Sequence, residues 1–444
     1  MKPEAARAGE PVPRSSLPIP ARTWLGRITA VILFLGLALG LVLPKVAGAA
    51  FLLLALMGII WLEPGLARRR WDLDRHERFL ILAVFAFVIV WLLAWLVNGL
   101  HPIGAGDVGR ILRLLLIVPV YVFLRHTEGL RGYWWWGLSA GAAIAGVHAI
   151  AFTAAGSTGE WLGRVGGATN PIYFGGIVLA FSLMILPRIT DISLTLPARA
   201  AFALSAALGL VASALSGSRG AWLAIPVLLI IYMFTVARRD PAQQRFGIPL
   251  MVVSVVVAIA FLPGVPLLER LFDAWKSLTV TSPGFSETDT LAVRWHLWKL
   301  SGQAIAEHPL FGGGPGLFRT ALERAVAQGE ANPFLLRYHH PHNQYLSALL
   351  TAGIPGLLAL VALFGVPGRF CARGLLLSDR QSQYVAWTGL AAVAVVATMA
   401  IGESIFQRNS GIVWFALLAS VSCALAQGAR NDKSAKSTGK QRQQ

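Results

Sequence analysis

The segment RYHHPHNQY, Arg337 to Tyr345, sets one arginine and three histidines, His339, His340 and His342, directly before an apolar run. A neutral imidazole can act as a general base near pH 7 and take the proton of a hydroxyl as that hydroxyl attacks. A solvated helix start is the plainer reading, and for His339 and His340 both readings stay open. A metal centre fits less well. The i, i+4 pair and flanking carboxylate of a zinc-protease helix are missing, and Pro341 breaks the register between His340 and His342. No metal or other cofactor is expected.

A second set of residues is chemically pointed. Arg110, Arg164, Arg219, Arg294, Arg319, Arg337 and Arg408 stand close to the ends of apolar runs. Ionisable groups there are costly without a partner. Snorkelling at a membrane interface accounts for Arg319 and Arg408. The others could converge on an anion, because the guanidinium fork matches phosphate oxygens bidentately. The strongest local pattern is SGSRGAWLA, Ser216 to Ala224. Two glycines free the backbone at a short turn, Ser218 can cap the following helix, and a helix N-terminus beside Arg219 makes an anion site. The run GGGPG, Gly312 to Gly316, lacks the Lys-Ser/Thr pair of a nucleotide-binding loop and reads as a turn.

The elements that must position these groups are membrane helices. Of 444 residues 56% are hydrophobic and only 13% charged, where a soluble protein has about a quarter charged. Mean hydropathy is +0.63. Apolar runs of spanning length recur along the chain, and run length gives about twelve helices. The expected class is an all-α polytopic integral membrane protein. Its divisions are a tail over 1–24, nine spans over 25–263, a long loop over 264–341, three spans over 342–427 and a disordered tail over 428–444. Val46 to Ala50 could pass for a signal cleavage site, but a turn between two spans fits better.

Charge sets the orientation. The net charge is +17, and the cations concentrate in alternate loops, such as Arg68 to Arg70, Arg125 with Arg131, and Arg238 with Arg239. The positive-inside rule puts these loops and both termini in the cytoplasm. This placement argues against nucleic-acid binding. The 264–341 loop then faces outward, with the histidines at its end. Within it, Leu291, Trp295, Trp298 and Ile305 share one side of an amphipathic helix that Asp289 could cap, expected to lie on the outer membrane–water interface with its tryptophans at headgroup level. The two cysteines, Cys371 and Cys423, have no metal spacing and no expected disulfide.

Taken in order, SGSRGAWLA, RWHLWKLSGQAIAEHPLFGGGPG and HPHNQYLSALLTAGIPG resemble the O-antigen ligase family, within a wider ligase and polymerase superfamily. In the last phrase His342 and Asn343 are followed by Gly353 and Gly356 at the family's spacing. The resemblance spans roughly Ser213 to Leu360. It implies a GT-C-like glycosyltransferase of the bacterial inner membrane with a periplasmic active site. The donor would be a polysaccharide on undecaprenyl pyrophosphate and the acceptor the lipid A–core oligosaccharide. By motif match His342 would be the essential histidine, and Arg219 and Arg294 would hold the pyrophosphate, with Ser218, Arg164 and Arg110 as further contacts. His339, His340, Asn343 and Arg337 are secondary candidates, and Glu160, Asp289 and Glu403 could take auxiliary roles. A polymerase or a protein oligosaccharyltransferase would share donor and topology. A lipid-linked glycan transporter would need charges near the membrane midplane, where Arg113 is the main candidate.

Overall fold

In hydrocarbon every backbone polar group needs an internal partner, so apolar runs fold as helices. The computed structural model describes residues 20, 23–62, 71–100, 102–157, 164–236 and 290–441, and these are helical with no extended strand among them. The ninth expected span, the first part of the long loop, Asp289 and Glu160 lie outside the described residues. In chain order the helices are α1 (Trp24–Leu39), α2 (Val46–Trp61), α3 (Arg75–Val97), α4 (Pro102–Ile111), α5 (Ile117–Leu124), α6 (Leu130–Ala154) and α7 (Pro171–Met184). There follow α8 (Leu196–Leu215), α9 (Ala224–Thr235), α10 (Thr290–Glu307), α11 (Leu317–Ala327), α12 (Gln344–Leu375), α13 (Arg380–Gly402) and α14 (Asn409–Gln441).

Six of them are long and apolar enough to cross a membrane: α3, α6, α8, α12, α13 and the Asn409–Gly428 part of α14. The chain is a polytopic helical membrane protein. Shorter apolar helices are α1, α2, α7 and the stretch Gly220–Thr235. The expected single span at 110–124 is broken instead into α4, a 3₁₀ turn at Leu112–Leu116 and α5. Where the sequence suggests a disordered tail from 428, α14 runs on to Gln441.

Helix α13 ties the bundle together, packing on α7, α12 and α14, while α12 also packs on α3. At one end Glu77, Tyr121 and Arg125 form a buried hydrogen-bonded group, the tyrosine hydroxyl donating to the carboxylate at 2.8 Å. Asp74 closes a capping box at the start of α3.

The other end carries a small second core made by the loop. Val293, Leu297 and Ala304 of α10, Phe318 and Leu322 of α11, and Leu335 pack on Leu350 of α12. The face of α10 in this core is the Val293, Leu297 and Ala304 side, with Ile305 packed beside it. Trp295 is 44% exposed, and the Trp298 indole donates to the Pro341 carbonyl at 2.9 Å. The contacts with α11 and α12 fix the rotation of α10, and the broad tryptophans are left at its margin.

Helix α12 is not continuous. Ala352 and Gly353 leave helical geometry, Gly353 at φ 60° and ψ −147°, a region almost closed to other residues. The opened carbonyls are taken by the GGGPG turn. The amides of Gly313 and Gly314 donate to Leu350 and Thr351 at 2.9 and 3.0 Å, and the Ile354 amide donates to Leu310 at 3.2 Å. A Cβ on Gly353 would collide with the Leu310 carbonyl. Gly353→Ala is thus expected to destabilise the protein by more than the ~1–2 kcal/mol of left-handed geometry alone, because a backbone carbonyl cannot swing aside. Thermal melting of the purified protein measures this. An unchanged midpoint would contradict the account.

Candidate active site

His342 begins the helix that the glycine turn clamps. It sits at φ 51°, a left-handed conformation uncommon for a residue with a side chain. The following Asn343 caps α12, accepting from the amides of Tyr345 and Leu346 at 2.9 and 3.0 Å. The left-handed turn and the cap set the imidazole beside Glu403, the residue that follows α13. His342 Nδ1 lies 3.0 Å from Glu403 Oε2, and His340 Nε2 lies 3.7 Å from Oε1. The two rings are 4.4 Å apart, and Tyr338 meets His342 edge-on at 5.5 Å.

The Glu403 loop is held in place from α12. The Asn343 amide donates to Ser404 Oγ at 3.2 Å, Ser347 and Ser404 share a hydrogen bond of 2.9 Å, and the Phe406 amide donates to Gln344 at 2.8 Å. Glu403 is 1% exposed. Burial alone would raise its carboxyl. The hydrogen bond from His342, with the pull of the two neighbouring imidazoles and of the Arg294 guanidinium, outweighs burial and holds the pKa below the ordinary carboxylate value. An ionised Glu403 accepts the Nδ1 proton of His342, which fixes the tautomer and leaves Nε2 with a lone pair for a substrate proton.

Burial also pushes His340 down, to about 4, against the pull of Glu403. His340 therefore stays neutral at pH 7. Its ordinary value is 6.5. Between the two the unfolded chain binds more protons than the folded one, so stability falls as pH drops from 6.5 towards 4. This amounts to about 2 kcal/mol by pH 5. The depressed Glu403 adds a loss in the same direction at lower pH. Melting midpoints at pH 7 and pH 5 are expected to differ clearly in the native protein and less in His340→Gln; parallel shifts would refute the assignment.

Three of the expected arginines converge here. The pKa of Arg164 is lowered by burial and then by the positive charges of Arg294 and Arg219. Its Nε donates to the Ser216 carbonyl at 2.9 Å. Arg294 of α10 is half-buried; desolvation lowers its pKa, while Glu403 and Tyr338 pull it up, and the guanidinium stays charged. Arg219 is exposed on the SGSRG turn, which needs Gly217 at φ 66°. Arg164 thus neighbours both other cations, and Arg294 among them faces the Glu403 carboxylate.

Other expected contacts lie elsewhere. The Ser218 hydroxyl donates to Ile172 at 3.1 Å, and the helix after it opens with a 3₁₀ turn at Gly220–Leu223 that has no side-chain cap. Arg337 lies over the Phe334 ring at 4.7 Å. Arg110 pairs with Asp107 and Gln407 and lines a separate cavity of about 220 Å³ with Arg319, His339 and His340. Arg113 hydrogen-bonds Asn409. His340, His342 and Glu403 place ligand atoms within 4.8 Å of one another and could hold a cation, although the charge of Arg294 beside Glu403 opposes one.

Glu403 is the group sequence reasoning valued least. Its signal was an acid, GES at 402–404, between two apolar helices, and such residues rarely lack a function. Asp107 and Gln407 carried no motif.

Two comparisons with known proteins bear on this arrangement. The chain is 23% identical over 385 residues to an uncharacterized protein of Haemophilus influenzae, covering 84% of this chain and 92% of the relative. The O-antigen ligase family model matches residues 204–361. That stretch holds Arg219, Arg294, the histidine cluster, Gly353 and Gly356, and leaves Arg110, Arg164 and Glu403 outside it. The chain is a polytopic helical membrane protein in which residues 204–361 match the O-antigen ligase family model.

Proposed function

We propose that this protein transfers a preassembled polysaccharide from undecaprenyl pyrophosphate to the lipid A–core oligosaccharide at the periplasmic face of the bacterial inner membrane. The observation that carries the reading is the convergence of Arg164, Arg219 and Arg294 with the His342–Glu403 pair. In this reading the acceptor hydroxyl oxygen attacks the anomeric carbon. Its proton passes to His342 Nε2, and the bond from that carbon to the phosphate oxygen breaks. The electron pair leaves with undecaprenyl pyrophosphate, whose growing negative charge the arginines stabilise. One displacement inverts the anomeric centre. Arginines supply the cationic charge, so the step is written without a metal. In this reading the chain has a twelve-span, GT-C-like topology with both termini in the cytoplasm, which would put the site where both lipid-anchored substrates are found.

The test is reconstitution of the full chain in nanodiscs with lipid-linked O-antigen and lipid A–core. A ladder of polysaccharide on lipid A–core is expected. Extension of one lipid-linked glycan by another, with the core untouched, would assign a polymerase instead. Glycan appearing on an added pilin-like protein would assign a protein oligosaccharyltransferase.

A further inference from the structure

The cavity of about 220 Å³ beyond His340 is not lined by Arg164, Arg219, Arg294 or His342. Its charges are also of another kind. Arg110 is paired with Asp107, and Gln407 bridges the two, accepting from Arg110 at 3.2 Å and donating to Asp107 at 3.2 Å. Arg319 is paired with Glu323 and donates to the Leu336 carbonyl. Such compensated pairs give a poor reception to a diphosphate. A carboxylate, a carboxamide and a guanidinium side by side offer both acceptors and donors to neighbouring hydroxyls. The buried Nε of Arg110 has no hydrogen-bond partner among the described residues, so this network still has a donor to spare. Phe318 and Thr351 add an apolar face and a hydroxyl to the wall. The cavity is smaller than the roughly 300–1,000 Å³ of a pocket for a drug-sized ligand, a size suited to one sugar ring.

We infer that this cavity seats the terminal sugar ring of the acceptor, held through its hydroxyls by Asp107, Arg110 and Gln407. The inference rests on the glycosyl-transfer reading above and deepens it. Displacement at the anomeric carbon needs the acceptor to approach from a direction other than that of the departing diphosphate. The structure offers two separate places, the cluster of Arg164, Arg219 and Arg294 for the diphosphate and this balanced cavity for an uncharged polyol. Between them stand the two histidines, their rings tilted and 4.4 Å apart, so a hydroxyl reaching past His340 comes to the His342 base. Arg110, expected from the sequence to touch the donor, belongs to the acceptor.

Kinetics of the full chain in nanodiscs, with donor and acceptor varied independently, tests this. Asp107→Asn and Gln407→Leu are expected to raise the acceptor KM about tenfold or more, with the donor KM within about twofold. His339→Ala, an exposed member of the wall, should raise the acceptor KM less. A rise confined to the donor KM, or an unchanged acceptor KM in all three, would overturn the subsite while leaving glycosyl transfer standing. If the native protein transfers nothing, that reading fails, and binding still judges the cavity. Saturation-transfer NMR with a panel of methyl hexosides should show contact with the native protein, about tenfold weaker in Asp107→Asn. Equal signals in both, or none with any hexoside in the native protein, would overturn the proposal.

Discussion

His342→Ala is expected to lower glycan transfer by about 10²–10⁴-fold, the range of a positioned general base, with little change in donor KM. The loss should sit in kcat, because the imidazole acts as the acceptor hydroxyl gives up its proton. His342 must also be aimed, and that is the part played by Glu403, a positioning residue that works through the histidine. Glu403→Gln keeps the volume and removes the charge. It is expected to cost on the order of 10²-fold, because an amide no longer fixes which imidazole nitrogen carries the proton. A purely structural role would leave the shape of the pH–rate profile as it was. The positioning role displaces its acidic limb, and Glu403→Asp should recover part of the rate. If His342→Ala left full-length polysaccharide on lipid A in a host lacking its own ligase, the base would have to be sought elsewhere.

The second large effect concerns the arginines, and it separates activity from stability. Loss of one preorganised donor to a developing anion costs about 10²–10³-fold in rate. Arg219→Gln and Arg294→Gln are each expected to fall in that range. The pair together should lose less than the product of the two, since both act on one leaving group. Stability should move differently. The charge of Arg219 opposes that of Arg164, so Arg219→Gln relieves repulsion and its melting midpoint should fall less than that of Arg294→Gln. Arg294 has the attraction of Glu403, and its replacement should lower the midpoint. Rates and melts on the same preparations decide the matter. Equal destabilisation by both variants would mean that the cations are scaffolding.

This opposition of function and stability was partly legible in the sequence. Arginines at helix ends outside the basic loops had no evident structural use, and three of them do gather. Their company was not legible, because Arg164, Arg219 and Arg294 come from three separate segments. Helix existence was equally readable from run length, whereas the interruption between α4 and α5 was not, since four leucines in the five residues Leu112 to Leu116 carry the apolar run across it. The partner of α10 was not readable either. A helix's apolar side follows from its own residues, but its buried side follows from what it meets. Glu403 stands sixty-one residues from His342, beyond the reach of any local pattern. Asn343 carried a family spacing whose local work is to cap α12, and Gly353 a spacing whose physical content is a left-handed break.

That break has a bearing on motion. A glycine followed by Pro355 inside a long helix has the look of a hinge, and hinges are where membrane enzymes are expected to flex. Here the amides of Gly313, Gly314 and Ile354 stitch the opening shut. The histidine end of α12 and the outer hairpin of the loop therefore travel as one rigid piece, and the wall bearing Thr351 and Phe318 travels with them. Any gate that admits two bulky lipid-borne glycans has to work by moving other segments past this fixed block.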